Sequence, residues 1–174
     1  MASVAASSPI WDAELREHVV QGRAAELKAL LADLADQKCL YEHVGARNAA
    51  GNTAFHLACQ HGHIECVRLL EQSSSNTFAQ TGAGMSGLMI AVERGHDKLS
   101  QHLLPMADLE ATCNRGWTAF IHACAAGQAD CVEVLVRADC NTKVRTQALQ
   151  FRVREHFLTF AASVTDSSRC FRAI

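Results

Sequence analysis

The feature that most constrains this chain is an internal repeat with a period of about 33 residues, the length of one supersecondary unit that cannot bury its apolar face alone. Gly51, Gly84 and Gly116 open three consecutive copies. A second glycine follows each of them at a constant interval, at Gly62, Gly95 and Gly127. The copies must therefore stack on one another to form a core.

The apolar pattern within a copy predicts two short helices. In the copy that opens at Gly51, Thr53 is suited to cap a helix, and Phe55 and Cys59 lie on one stripe of that helix. Gly62 is suited to end it in a left-handed conformation. The apolar residues of 64–70 then line a second helix. Because two-turn helices are marginal in isolation, their stability must come from neighbouring copies.

These residues resemble a known family. GNTAFHLACQHGH at 51–63 resembles the ankyrin pattern Gly-x-Thr-Pro-Leu-His-x-Ala-Ala…Gly-His, and GWTAFIHACAAGQ at 116–128 is similar. The copy at 81–94 matches least, and 15–33 resembles an N-terminal capping repeat. The usual proline is absent, and the motif histidine remains only as His56. The resemblance implies an all-α, ankyrin-type helix-turn-helix repeat solenoid of about four repeats.

The glycine positions predict an organisation along the chain. We expect a disordered N-terminus at 1–10, a capping repeat at 11–34, an extended linker or finger at 35–47, repeat 2 at 48–80, a degenerate repeat 3 at 81–112, repeat 4 at 113–144, and a divergent, partly helical C-terminal extension at 145–174.

The third repeat departs furthest from the pattern. Ser86 replaces the capping threonine, Ser100 and His102 stand at apolar positions, and Pro105 should end the second helix early. We expect this repeat to be the least stable. A buried, neutral His102 would also make it sensitive to mild acid.

The C-terminal extension differs in composition from the repeats. From residue 145 onward it holds five Arg against two acidic residues, and four of the seven Phe. We predict a non-repeat cap with a helix near 149–163. The alternatives are a docking peptide, for a partner or for a second copy, and the end of a fragment of a longer protein.

Composition excludes several classes of protein. Apolar residues make up 49% of the chain and the net charge is −2, so neither disorder nor a general attraction to nucleic acid is expected. No apolar run has the length of about 18–20 residues that spans a bilayer. The N-terminus does not read as a secretory signal, and we interpret the eight Cys as reduced thiols. We expect a monomer in the cytoplasm or the nucleus, with no membrane contact.

Two motifs suggest chemistry, and the repeat pattern accounts for both. Gly82–Gly87 matches the dinucleotide fingerprint Gly-x-Gly-x-x-Gly but follows loop residues instead of a strand. Cys59, His61, His63 and Cys66 have the ligand types of a zinc site. Aliphatic residues replace both thiols in the third repeat, which favours a role in the core. We therefore expect no cofactor, metal or catalytic site.

The family resemblance implies that turn tips and the concave face of the first helices bind a protein partner. Carried onto this sequence, the partner-binding positions are Asn52, Gln60, His61, Met85, Glu93, Arg94, Asn114, Arg115 and Trp117. The structural positions are Gly51, Thr53, His56, Gly62, Gly84, Gly95, Gly116, Thr118 and Gly127.

Trp117 has two interpretations, an exposed partner contact or a ring packed on Met85. The function predicted is non-enzymatic: an adaptor, scaffold or stoichiometric inhibitor. The alternative is a regulatory segment of a larger enzyme or channel.

Overall fold

The computed structural model describes residues 9–36, 40–73 and 76–138. Those residues are helical and contain no strand, which confirms the predicted all-α fold class. The helices are α1 (Pro9–Val20), α2 (Ala24–Asp36), α3 (Leu40–Gly45), α4 (Ala54–His61), α5 (Ile64–Gln72), α6 (Gly87–Glu93), α7 (Asp97–Leu103), a 3₁₀ turn (Leu104–Met106), α8 (Ala119–Ala126) and α9 (Ala129–Arg137). None of these helices is long and apolar enough to span a membrane.

Two of the predicted segments lie wholly or partly outside the described residues. The disordered N-terminus was expected at 1–10; Pro9 and Ile10 instead belong to α1, and 1–8 lie outside the described residues. The C-terminal extension, including its expected helix at 149–163, also lies outside them. The predicted boundaries of the repeats stay predictions.

The chain forms two compact parts, an N-terminal part up to Gly87 and a C-terminal part from Leu88. In the N-terminal part, α1 packs against α2 and α4, while α5 packs against α2 and α4. First helices therefore contact first helices, and second helices contact second helices. The core of this part consists of fully buried side chains, among them Leu15, Val19, Leu27, Leu34, Phe55, Val67 and Leu70.

In the C-terminal part, second helices again contact each other. Helix α9 packs against both α7 and α8. Leu99 of α7 and Leu135 of α9 are among its most deeply buried side chains, at 1% and 0% exposed. Helix α8 buries six consecutive residues, from Ala119 to Cys124. A helix that is buried all round depends on its surroundings for stability, as the sequence predicts for every repeat.

The segment 35–47, predicted as an extended finger, contains helical structure. Helix α2 continues to Asp36, and α3 occupies Leu40–Gly45. The side chains of His43 and Val44 are buried, at 5% and 1% exposed, and α3 packs against α1, α2 and α4. The prediction of an extended finger is wrong at α3, because these residues pack against the helix pairs.

In the third repeat, α7 ends at Leu103 and Pro105 lies in the following 3₁₀ turn. Ser100 is fully buried, and its hydroxyl donates a 2.8 Å hydrogen bond to the carbonyl of His96. A serine is tolerated at this apolar position because its polar atom is satisfied within the helix. His102 is only half-buried, which does not favour the alternative of a buried, neutral His102.

The most deeply buried described histidine of the N-terminal part is His56, which is 0% exposed. Its Nδ1 accepts from the Thr53 N–H at 3.2 Å and from the Thr53 hydroxyl at 2.8 Å. Its Nε2 donates to the Ala79 carbonyl at 2.9 Å. These bonds require the neutral Nε2–H tautomer, because a protonated ring has no acceptor left for Thr53. The ring thus joins a helix N-terminus to the loop that follows α5.

The free energy of unfolding should decrease as the pH falls from 7 to 5. Burial lowers the pKa of His56, the Ala79 hydrogen bond raises it, and Arg47 lowers it. The histidine of the unfolded chain, with an ordinary pKa of about 6.5, therefore takes up a proton as the pH falls through this range, while His56 in the folded state stays neutral to lower pH. When the free energy of unfolding is measured by denaturant titration at several pH values in this range, it should change less with pH for His56→Gln than for the wild type. His61→Gln, at an exposed position, is the control, and an equal slope in both variants would contradict the assignment.

Leu70→Ala should lower the free energy of unfolding by about 2–5 kcal/mol, because it leaves a cavity between α4 and α5. Leu70 is fully buried, whereas the adjacent Leu69 is only half-buried. Leu69→Ala is therefore the matched control and should lose clearly less. Equal losses in urea titrations of the two variants would contradict the helical register of α5.

Candidate protein-interaction surface

Three turns share one backbone hydrogen-bond pattern; we call them tip A (48–53), tip B (81–86) and tip C (113–118). In tip A, the Asn48 N–H donates to the Asn52 carbonyl at 2.9 Å, and the Gly51 N–H donates to the Asn48 carbonyl at 2.8 Å. The equivalent bonds measure 3.0 and 2.9 Å in tip B and 3.0 and 2.8 Å in tip C. Each tip therefore holds its side chains on the same rigid frame.

Glycine supports this frame and the ends of the first helices. The predicted structural glycines, Gly51, Gly62, Gly84, Gly95, Gly116 and Gly127, all have φ between +72° and +76°. Gly62 shows why this matters: it follows α4 in the left-handed conformation, and its N–H donates to the Ala58 carbonyl. A side chain in this conformation would be strained.

Tips A and B lie against each other. A Cβ placed on Gly51 would lie 2.7 Å from the backbone nitrogen of Gly82. The Arg47 guanidinium links the two turns by donating to the carbonyls of Gly51 at 2.9 Å and Gln80 at 2.6 Å. At tip C, by contrast, nothing among the described residues lies within 4 Å of a Cβ placed on Gly116. Among the described residues, a contact of the kind that covers Gly51 is therefore seen only at tip A and not at tip C.

The three tips differ in whether the side chain of their first residue accepts hydrogen bonds from backbone N–H groups. In tip A, Asn48 Oδ1 accepts from the N–H groups of Ala50 at 3.0 Å and Asn52 at 2.9 Å. In tip B, Thr81 Oγ1 accepts from Ala83 at 3.3 Å and Met85 at 3.1 Å. Tip C has Cys113 at this position, and a thiol is only a weak acceptor. Residue 113 therefore has no side-chain oxygen that could accept hydrogen bonds from the N–H groups of tip C.

Trp117 follows neither of its two sequence interpretations fully. The side chain is half-buried, and its ring meets the ring of His122 edge-on, with centroids 5.3 Å apart. The Arg115 guanidinium carbon lies 5.7 Å from the Trp117 ring centroid. The ring is therefore held within its own repeat and still contributes to the surface of tip C.

Sequence reasoning missed His122, which is 4% exposed. Its Nδ1 lies 4.0 Å from a Glu93 carboxylate oxygen, beyond hydrogen-bond length, and its Nε2 has no partner among the described residues. Burial lowers the pKa of His122, while Glu93 raises it and Arg115 lowers it. The sequence did contain a signal for this residue: when the repeats are aligned, His122 occupies the position that Leu57 holds in the second repeat.

Repeat 4 also lacks the histidine that caps repeat 2. Ile121 stands at the position of His56, and the Thr118 hydroxyl is buried without a hydrogen-bond partner in the described part of the chain. Thr118 therefore precedes α8 as Thr53 precedes α4, but without the imidazole bond. The two repeats have the same backbone conformation at the start of the first helix but differ in the hydrogen bond between threonine and histidine.

None of the predicted partner-binding side chains is buried. Exposed positions are His61, Glu93, Arg94, Asn114 and Arg115; half-buried positions are Asn52, Gln60, Met85 and Trp117. Phe78, which shortly precedes tip B, is 70% exposed and was not selected from the sequence. An exposed phenylalanine at a turn is a candidate for partner contact.

The residues suggested as a zinc site have structural contacts instead. Cys59 and Cys66 are fully buried, and burial raises the pKa of both thiols. His63 Nε2 donates to the Val20 carbonyl at 3.1 Å, and its ring stacks on His61 with centroids 6.0 Å apart. Within 9–36, 40–73 and 76–138, no three His, Cys, Asp or Glu side chains come together as metal ligands would.

The Gly-x-Gly-x-x-Gly motif is likewise explained by packing. Its first glycines belong to tip B, which follows a loop. A Cβ on Gly87 would lie 2.6 Å from the Phe55 ring and 3.1 Å from the Cys59 sulfur. Glycine at 87 is therefore required by the close approach of α4, independently of any phosphate.

Comparisons with known proteins agree with this architecture. A family model for ankyrin repeats (many copies) matches residues 15–71, and one for ankyrin repeats (3 copies) matches residues 71–148. Human ankyrin repeat domain-containing protein 63 is 36% identical over 97 residues, covering 53% of this chain and 26% of that protein. The human transient receptor potential cation channel subfamily A member 1 is 36% identical over 91 residues, covering 51% of this chain and 8% of the channel.

The NF-kappa-B inhibitor cactus of Drosophila melanogaster is 30% identical over 108 residues, covering 60% of this chain and 22% of the inhibitor. The chain thus spans about a quarter or less of the length of these relatives. The two family models together account for most of the sequence, and the helix pairs, tips and glycines follow their repeat. The chain belongs to the ankyrin repeat family.

Proposed function

We propose that this chain is a non-enzymatic protein-interaction module, an adaptor, scaffold or stoichiometric inhibitor that binds a protein partner. The proposed contact residues belong to tips A and B in the N-terminal part, to tip C in the C-terminal part, and to exposed positions on the first helices of each part. The observation that carries this proposal is that the tips share one hydrogen-bonded frame while their side chains differ and reach solvent. A preordered surface of this kind lowers the entropic cost of association.

The state of the cysteines supports a binding role over nucleophilic catalysis. Cys59, Cys66 and Cys131 are fully buried, and burial raises the pKa of each thiol. The thiolate is the nucleophilic form, so these three residues are poor nucleophiles. Ankyrin repeat relatives include a protein named as an inhibitor, which favours the same class of function.

A second candidate is a regulatory segment of a larger protein. It is favoured by the similarity to a cation channel in which the matching region is 8% of the length. A full-length transcript whose reading frame continues past Ile174 into an enzyme or channel domain would favour this candidate over a free-standing module.

Trp117→Ala should weaken capture of a partner by at least tenfold, since a tryptophan at an interface commonly contributes about 2 kcal/mol to binding. Affinity capture from cell extract followed by mass spectrometry would identify proteins retained by the wild type, and a binding titration would then compare variants. Lys98→Ala, at an exposed position on α7, is the matched control and should bind as the wild type does.

The same substitution should also reduce stability modestly, because the edge-on contact with His122 is lost; such aromatic contacts are worth about 0.5–1.5 kcal/mol. Binding is therefore compared at a temperature where circular dichroism shows both proteins folded. Undiminished binding by folded Trp117→Ala would remove this residue from the surface. If the wild type retains no protein specifically, the proposed function fails.

A further inference from the structure

We propose that tip C is a docking point for an acidic segment of the partner, with a carboxylate of that segment bound by Arg115. This inference rests on the proposed function and names the chemistry of the partner. It is carried by two observations at tip C: its charge and its backbone, which lacks the side-chain oxygen that caps tips A and B.

The charge of the tips is the first observation. Tips A, B and C contain one charged side chain in total, and it is Arg115. The guanidinium is exposed and forms no ion pair with another described residue. Its aromatic neighbour is the Trp117 ring at 5.7 Å, which is itself positioned by His122. An arginine that an aromatic ring holds in place presents its donors in a fixed orientation, which suits a carboxylate.

The backbone of the tip is the second observation. Asn48 and Thr81 each place a side-chain oxygen on two N–H groups of their own tip. In tip C the corresponding groups are the N–H groups of Arg115 and Trp117, and Cys113 supplies no oxygen to them. In tips A and B the equivalent N–H groups donate to a side-chain oxygen. A carboxylate oxygen from the partner supplies the missing acceptor, next to a positive charge.

The test is an NMR titration of the full ¹⁵N-labelled chain with three blocked hexapeptides. The probe is Gly-Ser-Glu-Glu-Ser-Gly, and its counterparts carry Gln-Gln or Lys-Lys at the centre. We expect the acidic peptide to shift the amide signals of Arg115 and Trp117, with an affinity that falls as salt is raised. The Gln-Gln and Lys-Lys peptides should leave both signals in place.

Two variants separate the charge from the backbone. Arg115→Gln should reduce the affinity for the acidic peptide by about tenfold, the loss expected for one charge-assisted contact. Cys113→Thr copies the cap of tip B, so its hydroxyl should compete for the N–H groups and weaken binding while the chain stays folded. Lys98→Gln, which removes a positive charge elsewhere on the C-terminal part, should bind as the wild type does.

Several outcomes would overturn the inference. They are equal binding of the Lys-Lys peptide, no effect of Arg115→Gln, and shifts confined to residues outside tip C. A stronger response to inorganic phosphate alone than to the acidic peptide would assign the tip to phosphate groups instead. If the wild type captures a protein from extract and yet ignores the acidic peptide, this inference fails while the proposed function stands. If it captures nothing, the proposed function fails by itself.

Discussion

The structure depends on the packing of short helices against those of adjoining repeats. Helices α4 to α9 have seven to nine residues each, which is too short for helix formation on its own to be favourable. Contacts of first helices with first helices, and of second helices with second helices, bury the residues that would otherwise face water. Stability is therefore a property of adjoining repeats, and a single repeat has little of its own.

Much of this could be predicted from the sequence, because the signals are local and periodic. The regularly spaced glycines marked the turns, and the apolar stripe between them marked the helices. The repeat also served as an internal control. Comparing Cys59 and Cys66 with their counterparts in other repeats identified them as core residues, and both thiols are fully buried.

What could not be predicted depends on contacts between residues distant in sequence. The burial of Val44 in α3 was hidden because its partners lie on other helices. His122 was overlooked and is almost fully buried. The aromatic contact that holds Trp117 joins it to His122, at a spacing that sequence periodicity does not single out.

One contact recurs where a first helix ends. A Cβ on Gly22 would lie 2.7 Å from the imidazole of His63, and a Cβ on Gly95 would lie 2.5 Å from the amide of Gln128. In both cases the side chain belongs to the residue that precedes the second helix of the following repeat. The glycine of one repeat and the polar side chain of the next thus form a matched pair. Modules recombined from this chain must carry both members together, so the natural unit of exchange is the junction between repeats.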